Sequence, residues 1–126
     1  MRRDIDQLKR ELDIIKYETE LIREDVDKIK DKLKESGRQV YERLAEMPFW
    51  DDYEELLKSD IADMKNLGGP YAGSITAGKF LQKFTHYPWI HMDIAGPSFL
   101  VSRDGYRGKG GTGVGVRLLF DFFKNS

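Results

Sequence analysis

Between Ile5 and Leu33 the apolar residues recur in an unbroken alternation of three and four: Ile5, Leu8, Leu12, Ile15, Ile22, Val26, Ile29 and Leu33, with Thr19 filling the one vacancy. That spacing is a heptad seam, and a chain that carries one is committed to a helix with a continuous sticky stripe. With Ile5, Leu12, Thr19, Val26 and Leu33 at position a, the d positions are Leu8, Ile15, Ile22 and Ile29. The flanks then sort by charge. Position e holds Lys9, Lys16, Arg23 and Lys30, and position g holds Asp4, Glu11, Glu18 and Asp25 before Lys32. In a parallel assembly each g residue meets the e residue five positions on in its neighbour. The pairs Asp4–Lys9, Glu11–Lys16, Glu18–Arg23 and Asp25–Lys30 are all opposite in sign. Residues 1–36 are therefore expected to be a parallel coiled coil. Ile at d with mixed aliphatics at a leans away from a dimer toward a trimer or tetramer, with a trimer favoured, held through residues 3–34. Ile14, Tyr17 and Leu21 form a second apolar patch outside the seam, which either widens the core face or packs on residues 37–126.

The two parts of the chain differ in composition. Residues 1–36 contain no Gly, no Pro and one aromatic, Tyr17, whereas all 12 Gly and all 4 Pro lie in 37–126. The compact part must come from about 90 residues, a size at which independent folding is marginal. Net charge is near zero in both parts, which gives no field for nucleic acid or an anionic membrane. There is no cysteine, hence no disulfide framework or thiolate metal site. The opening "MRRDIDQLKR" lacks the apolar run of a signal peptide, and no stretch approaches a membrane span. A cytoplasmic protein is the expectation.

Within 37–126, Gly37 is placed to end the long helix at the left-handed position. A short helix is expected from Arg38 to Glu46, stopped before Pro48, and another over 51–59, with Asp51 or Asp52 as its N-cap. Ala72 to Phe84 reads as a helix rich in small residues, Trp89 to Ile94 as a short buried strand, and Gly113 to Phe123 as a helix buried on several sides. Helices alternating with a buried strand give an α/β fragment: helices packed on a short parallel-type strand, preceded by the coiled coil.

Candidate chemistry is sparse. His91 and Asp93, two apart in an extended run, would project from one strand face, but a catalytic metal needs about three protein ligands. His86, Asp60 and Asp63 are the other possible donors, and the two aspartates fit solvated helix-end residues better. "GKGGTG" at 108–113 matches a dinucleotide-binding glycine pattern, yet a polar loop precedes it and the chain has no room for the acidic ribose ligand. A flexible loop closing on a helix start, with Thr112 as N-cap, is the better reading.

From about Gly37 onward, "MPFWDDYEELLKSDIADMKNLGGPYAGSITAGKFL", "WIHMDIAGPSF" and "KGGTGVGVRLLFDF" succeed one another in an order that resembles the C-terminal part of a leucyl aminopeptidase, the cytosol aminopeptidase family. The resemblance implies two-domain cytoplasmic enzymes that use two divalent metals, zinc or manganese, to activate water and release N-terminal amino acids, assembled as hexamers built from trimers. It further implies that the His and Asp of "HMDIAG" do not bind metal and that Ala95 and Ser98 line the pocket for the substrate's first side chain. The family's metal-binding runs, Phe-Asp-Ser-Gly-Gly and Asn-Thr-Asp-Ala-Glu-Gly-Arg, and its two Lys are not found here. The resemblance thus assigns this chain no catalytic residue, no metal ligand and no cofactor of its own. Three expectations result: a non-catalytic module that self-associates or joins a complete aminopeptidase; one piece of a split active enzyme whose metal-binding half is another chain; or a fragment or fusion without selected function.

Overall fold

The computed structural model describes residues 2–126, with side chains from Asp4 onward; Met1, part of the expected 1–36 coil, lies outside them. The first helix, α1, spans Arg2–Gln39. Good helix formers without Gly or Pro start it, and pairs one turn apart brace it. Gln7 donates to Glu11 at 3.1 Å, and Glu35 accepts from Arg38 at 2.6 Å and Gln39 at 2.9 Å.

The helix runs through Gly37 instead of ending there. The left-handed residue is Tyr41, at φ 58°. The Glu42 amide donates to Gly37 O at 2.8 Å and the Tyr41 amide to Arg38 O at 3.4 Å, the paired bonds that close a helix C-terminus. Gly37 is needed for closeness: a Cβ there would stand 2.6 Å from the Glu42 carbonyl oxygen and 3.3 Å from Leu118 Cδ1. The short helix expected over Arg38 to Glu46 does not form, because this reversal sends the chain into an irregular extended run up to Trp50.

A 3-10 helix, Asp51–Leu57, takes the place of the expected 51–59 helix; neither Asp51 nor Asp52 caps it, since Trp50 holds the N-cap without a side-chain bond. Helix α2, Gly73–Gln82, forms where expected. It packs on the 3-10 helix, burying Leu57, Ile75 and Thr76.

The parallel-type strand at Trp89–Ile94 is not observed. The segment has no ladder partner, and a strand is defined by its pairing as much as by its side chains. The strands that do form are β1, Phe99–Leu100, and β2, Gly110–Gly111, antiparallel, with Phe99 opposite Gly111 and Leu100 opposite Gly110. The glycine-rich run is accordingly half ladder. Thr112 does not cap the last helix; its hydroxyl donates to Pro97 O at 2.5 Å and accepts from the Val114 amide at 3.3 Å. Helix α3, Val116–Lys124, begins at Gly115, φ 90°, and packs on the C-terminal part of α1. It is buried on one side only: Leu118 is 1% exposed while Phe120 and Phe123 are each 70% exposed. The architecture is a small, helix-rich α/β fragment with two antiparallel strands.

Over most of its length α1 stands clear of the rest. Leu8, Leu12, Ile15 and the outer patch residues Ile14, Tyr17 and Leu21 are exposed, Val26 is half-buried, and Leu33 alone of the seam is buried. Of the two alternatives for the outer patch, packing on residues 37–126 is not observed. Among the described residues no helix is long and apolar enough to cross a membrane.

Candidate functional site

An open groove of about 1730 Å³ runs along the inner side of the fragment. Its walls come from the second half of α1 (Val26, Lys30, Leu33), the run after it (Leu44 to Met47), the segment Trp89–Ile94, and the start of α3 (Val116 to Leu118).

Two carboxylates fix those walls. Glu42, carried round by the reversal at Tyr41, receives the amides of Gly115 at 3.0 Å and Leu118 at 3.2 Å on one oxygen, and the Arg117 guanidinium at 3.2 Å on the other. A helix N-terminus presents unpaired N–H groups and a partial positive charge, so a carboxylate there neutralises both. Arg117 also donates to the Tyr106 hydroxyl at 2.8 Å, and this bond, with Glu42, raises its already high pKa. Glu46 accepts from Lys30 at 2.6 Å and Lys34 at 2.5 Å. Those hydrogen bonds, Lys30 first, hold the Glu46 carboxyl down to about 2. Lys30 in turn is raised, chiefly by its bond to Glu46 and then by Asp27.

Behind the groove lies the most buried charge of the fragment. The Lys79 side chain is 1% exposed, and its ammonium reaches Asp51 at 3.0 Å, Glu54 at 3.7 Å and the face of Phe49 at 4.3 Å from the ring centroid. Lys83 meets the other Glu54 oxygen at 2.6 Å and lowers that carboxyl's pKa. This network ties α2 to the 3-10 helix. The Asp51 expected as a cap is its outer member. Sequence reasoning passed over Glu42, Glu46 and Lys79; only Lys79, a lone cation among small residues of an otherwise apolar stretch, carried a signal.

The candidate metal donors do not converge. His91 has a buried Nε2 without a partner, lies against Gly78 of α2, and packs its ring 5.9 Å from that of Trp89. Asp93 turns away to accept the Ala95 amide at 2.9 Å. His86, Asp60 and Asp63 are exposed. Among the described residues no three His, Asp or Glu gather to hold a metal ion, so this donor set does not fit the two-metal centre the resemblance implies. Ala95 and Ser98 are brought together, the Ser98 hydroxyl donating to Ala95 O at 2.9 Å. Gly96 and Pro97 between them line the groove.

Two helix pairs, α1 with α3 and α2 with the 3-10 helix, together with one antiparallel strand pair make up this helix-rich α/β fragment. The chain belongs to the cytosol aminopeptidase family: residues 16–120 match the model of that family's catalytic domain. It is 52% identical over 99 residues to a probable cytosol aminopeptidase of Chlorobium phaeobacteroides, covering 77% of this chain and 20% of that protein. It is also 52% identical over 93 residues to that of Geobacter sulfurreducens, covering 73% and 19%. The chain thus spans about a fifth of the length of the curated relatives it matches. In fold it is similar to the bottromycin maturation enzyme BotP in complex with Mn, with TM-score 0.70 and 28% identity over 79% of this chain and 22% of that one. The family match opens inside α1, so residues 16–39 belong both to the long helix and to the family segment. The motifs that carry the resemblance lie from about Gly37 onward.

Proposed function

We propose that this chain is a non-catalytic module of the cytosol aminopeptidase family that self-associates in the cytoplasm through residues 3–34, as a parallel trimer. The observation that carries the reading is the exposed seam of α1. Leu8 and Ile15 are 62% and 58% exposed, and each of the flanking pairs Asp4–Lys9, Glu11–Lys16 and Glu18–Arg23 is complementary in sign for a neighbouring copy. Thr19, the one polar residue of the seam, donates to Ile15 O at 2.7 Å and so needs no partner across it. The fourth pair is less favoured, since Lys30 already bonds Glu46 and Asp27 within its own chain. Ala95 and Ser98 belong to a side-chain pocket in this reading, one that holds no group able to activate water.

Sedimentation equilibrium of the purified chain is expected to give the mass of a trimer; a monomer at micromolar concentration excludes it. A leucine-anilide assay with added manganese is expected to give no turnover. Metal-dependent turnover in a sample free of other chains by mass spectrometry overturns the non-catalytic part.

A second reading is favoured by one observation, the groove lined at Trp89–Ile94 by backbone without backbone partners. In it the chain is one piece of an active aminopeptidase whose metal-binding half, with zinc or manganese, comes from another polypeptide.

A further inference from the structure

Outside the seam, α1 carries a second apolar row that its own chain leaves uncovered: Ile14, Tyr17 and Leu21 are all exposed. A spacing of three and then four residues aligns them along one face of the helix. At about 100° per residue the row lies about 160° round the helix from the middle of the seam. It therefore stays open whether or not the seam is occupied. The charges beside it are one-sided. Heptad position b borders the row on one flank with Asp6, Asp13, Glu20 and Asp27, and position g borders it on the other with Asp4, Glu11, Glu18 and Asp25. Glu24 continues the row itself, between the cations Arg10 and Lys28 at its two ends.

These carboxylates are only partly paired. Asp25 meets Lys28 at 3.7 Å and Asp27 meets Lys30 at 2.9 Å. Asp13, Glu18, Glu20 and Glu24 are exposed, and among the described residues none of them forms an ion pair. A parallel bundle through the seam would set position g against a neighbour's e, and it has no use for position b. Nor does the row suit a second copy of itself. Two such faces brought together would oppose carboxylate to carboxylate, and like charges across an interface reject a partner.

We propose that the outer face of α1, centred on Ile14, Tyr17 and Leu21, docks an amphipathic helix of another protein, one whose apolar stripe is flanked on both sides by lysine or arginine. A helix is the matching shape, because two helices lying side by side keep apolar residues spaced three and four apart in contact over successive turns. Tyr17, large and amphipathic at the middle of the row, is the natural anchor. The partner's cations would meet the carboxylates of positions b and g, which supplies selectivity and steering more than affinity. The apolar contact covers only about two turns, so the complex belongs to the weak, reversible class. Neither the trimer nor the split enzyme is needed for it.

The test is fluorescence anisotropy of a labelled peptide of about three heptads, with Leu at a and d and Lys at e and g, titrated with the full chain. Binding is expected, and it should weaken with added salt as the exposed charges are screened. Ile14→Asp and Leu21→Asp should each weaken it about tenfold while the chain's sedimenting mass and helical signal stay as they are. Asp13→Lys combined with Glu20→Lys should weaken it several-fold and let the same peptide with Glu flanks bind instead. Absence of binding overturns the proposal. So does equal binding of a scrambled peptide of the same composition, which would leave only attraction between opposite charges. Binding lost in Ile15→Asp but kept in Leu21→Asp places the peptide in the seam, and a fall in sedimenting mass with Leu21→Asp makes the outer face a contact between copies; either result overturns it.

Discussion

One Glu42 oxygen lies 3.2 Å from the backbone nitrogen of Leu118, so a residue just past the end of α1 caps the start of α3 across most of the sequence. The same oxygen takes the Gly115 amide at 3.0 Å. Leu118, the most buried apolar side chain, is thereby held against Gly37 by a bond to its own backbone.

Removing that carboxylate should loosen α3 first. Glu42→Ala leaves two helix-terminal amides and Arg117 without their acceptor, an expected loss of about 1–3 kcal/mol. Glu42→Gln, which keeps an acceptor oxygen but no charge, should lose less. Urea unfolding, together with amide exchange at Leu118, measures both; equal stability of wild type and Glu42→Ala would show the cap to be idle.

The reversal after α1 makes opposite demands on two neighbouring positions. In Gly37→Ala the new Cβ meets the Glu42 carbonyl at 2.6 Å, a backbone atom that cannot swing aside. Crowding of this kind costs about 1–3 kcal/mol. Tyr41→Gly relieves a left-handed residue worth about 1–2 kcal/mol and loses the contact with Arg43 at 4.7 Å, worth about 0.5–1 kcal/mol. Thermal melts are expected to fall for the first variant and rise slightly for the second.

Acid should weaken the link between α1 and the run after it. The folded Glu46 carboxyl sits at about 2, below its ordinary 4.5, so its contribution is complete above about pH 4.5 and disappears as the pH drops toward 2. Glu46 and its two lysines are partly exposed, so each pair is worth about 0.2–1 kcal/mol. The stability gap between wild type and Glu46→Gln should therefore be constant from pH 7 to 5 and close below it. A gap that widens in acid would contradict the assignment.

For self-association, apolar contact should outweigh charge. Ile15→Asp is expected to dissociate the assembly, whereas Lys16→Glu, an exposed flank worth about 0.2–1 kcal/mol, should only weaken it. Sedimentation velocity of the two variants at equal concentration distinguishes them.

The helices α1, α2 and α3 were legible because each carries its own periodicity or flanking signals within a few turns. Trp89–Ile94 reads as a strand because its apolar, β-prone residues are local, while the hydrogen bonds that define a strand depend on a partner. The end of α1 was misplaced for a related reason. Gly37 has the residue type of a terminator, but its role is set by the Glu42 carbonyl and Leu118, which approach it only in the folded chain. Thr112 and Asp51 suited caps by type, and each found a stronger partner, Pro97 O and Lys79, on a segment distant in sequence. Ala95 and Ser98 came from the resemblance, and their hydrogen bond to one another was not readable from either residue alone.

Leu33 belongs to two surfaces at once. By heptad position it lies on the stripe that would face neighbouring copies; in the fold it is 6% exposed, covered from within its own chain, in the part of the fragment where α3 packs on α1. One face cannot serve both. In the trimer proposed above, the contact between copies would therefore have to give out before Leu33, because that side chain is already spent on its own chain's interior.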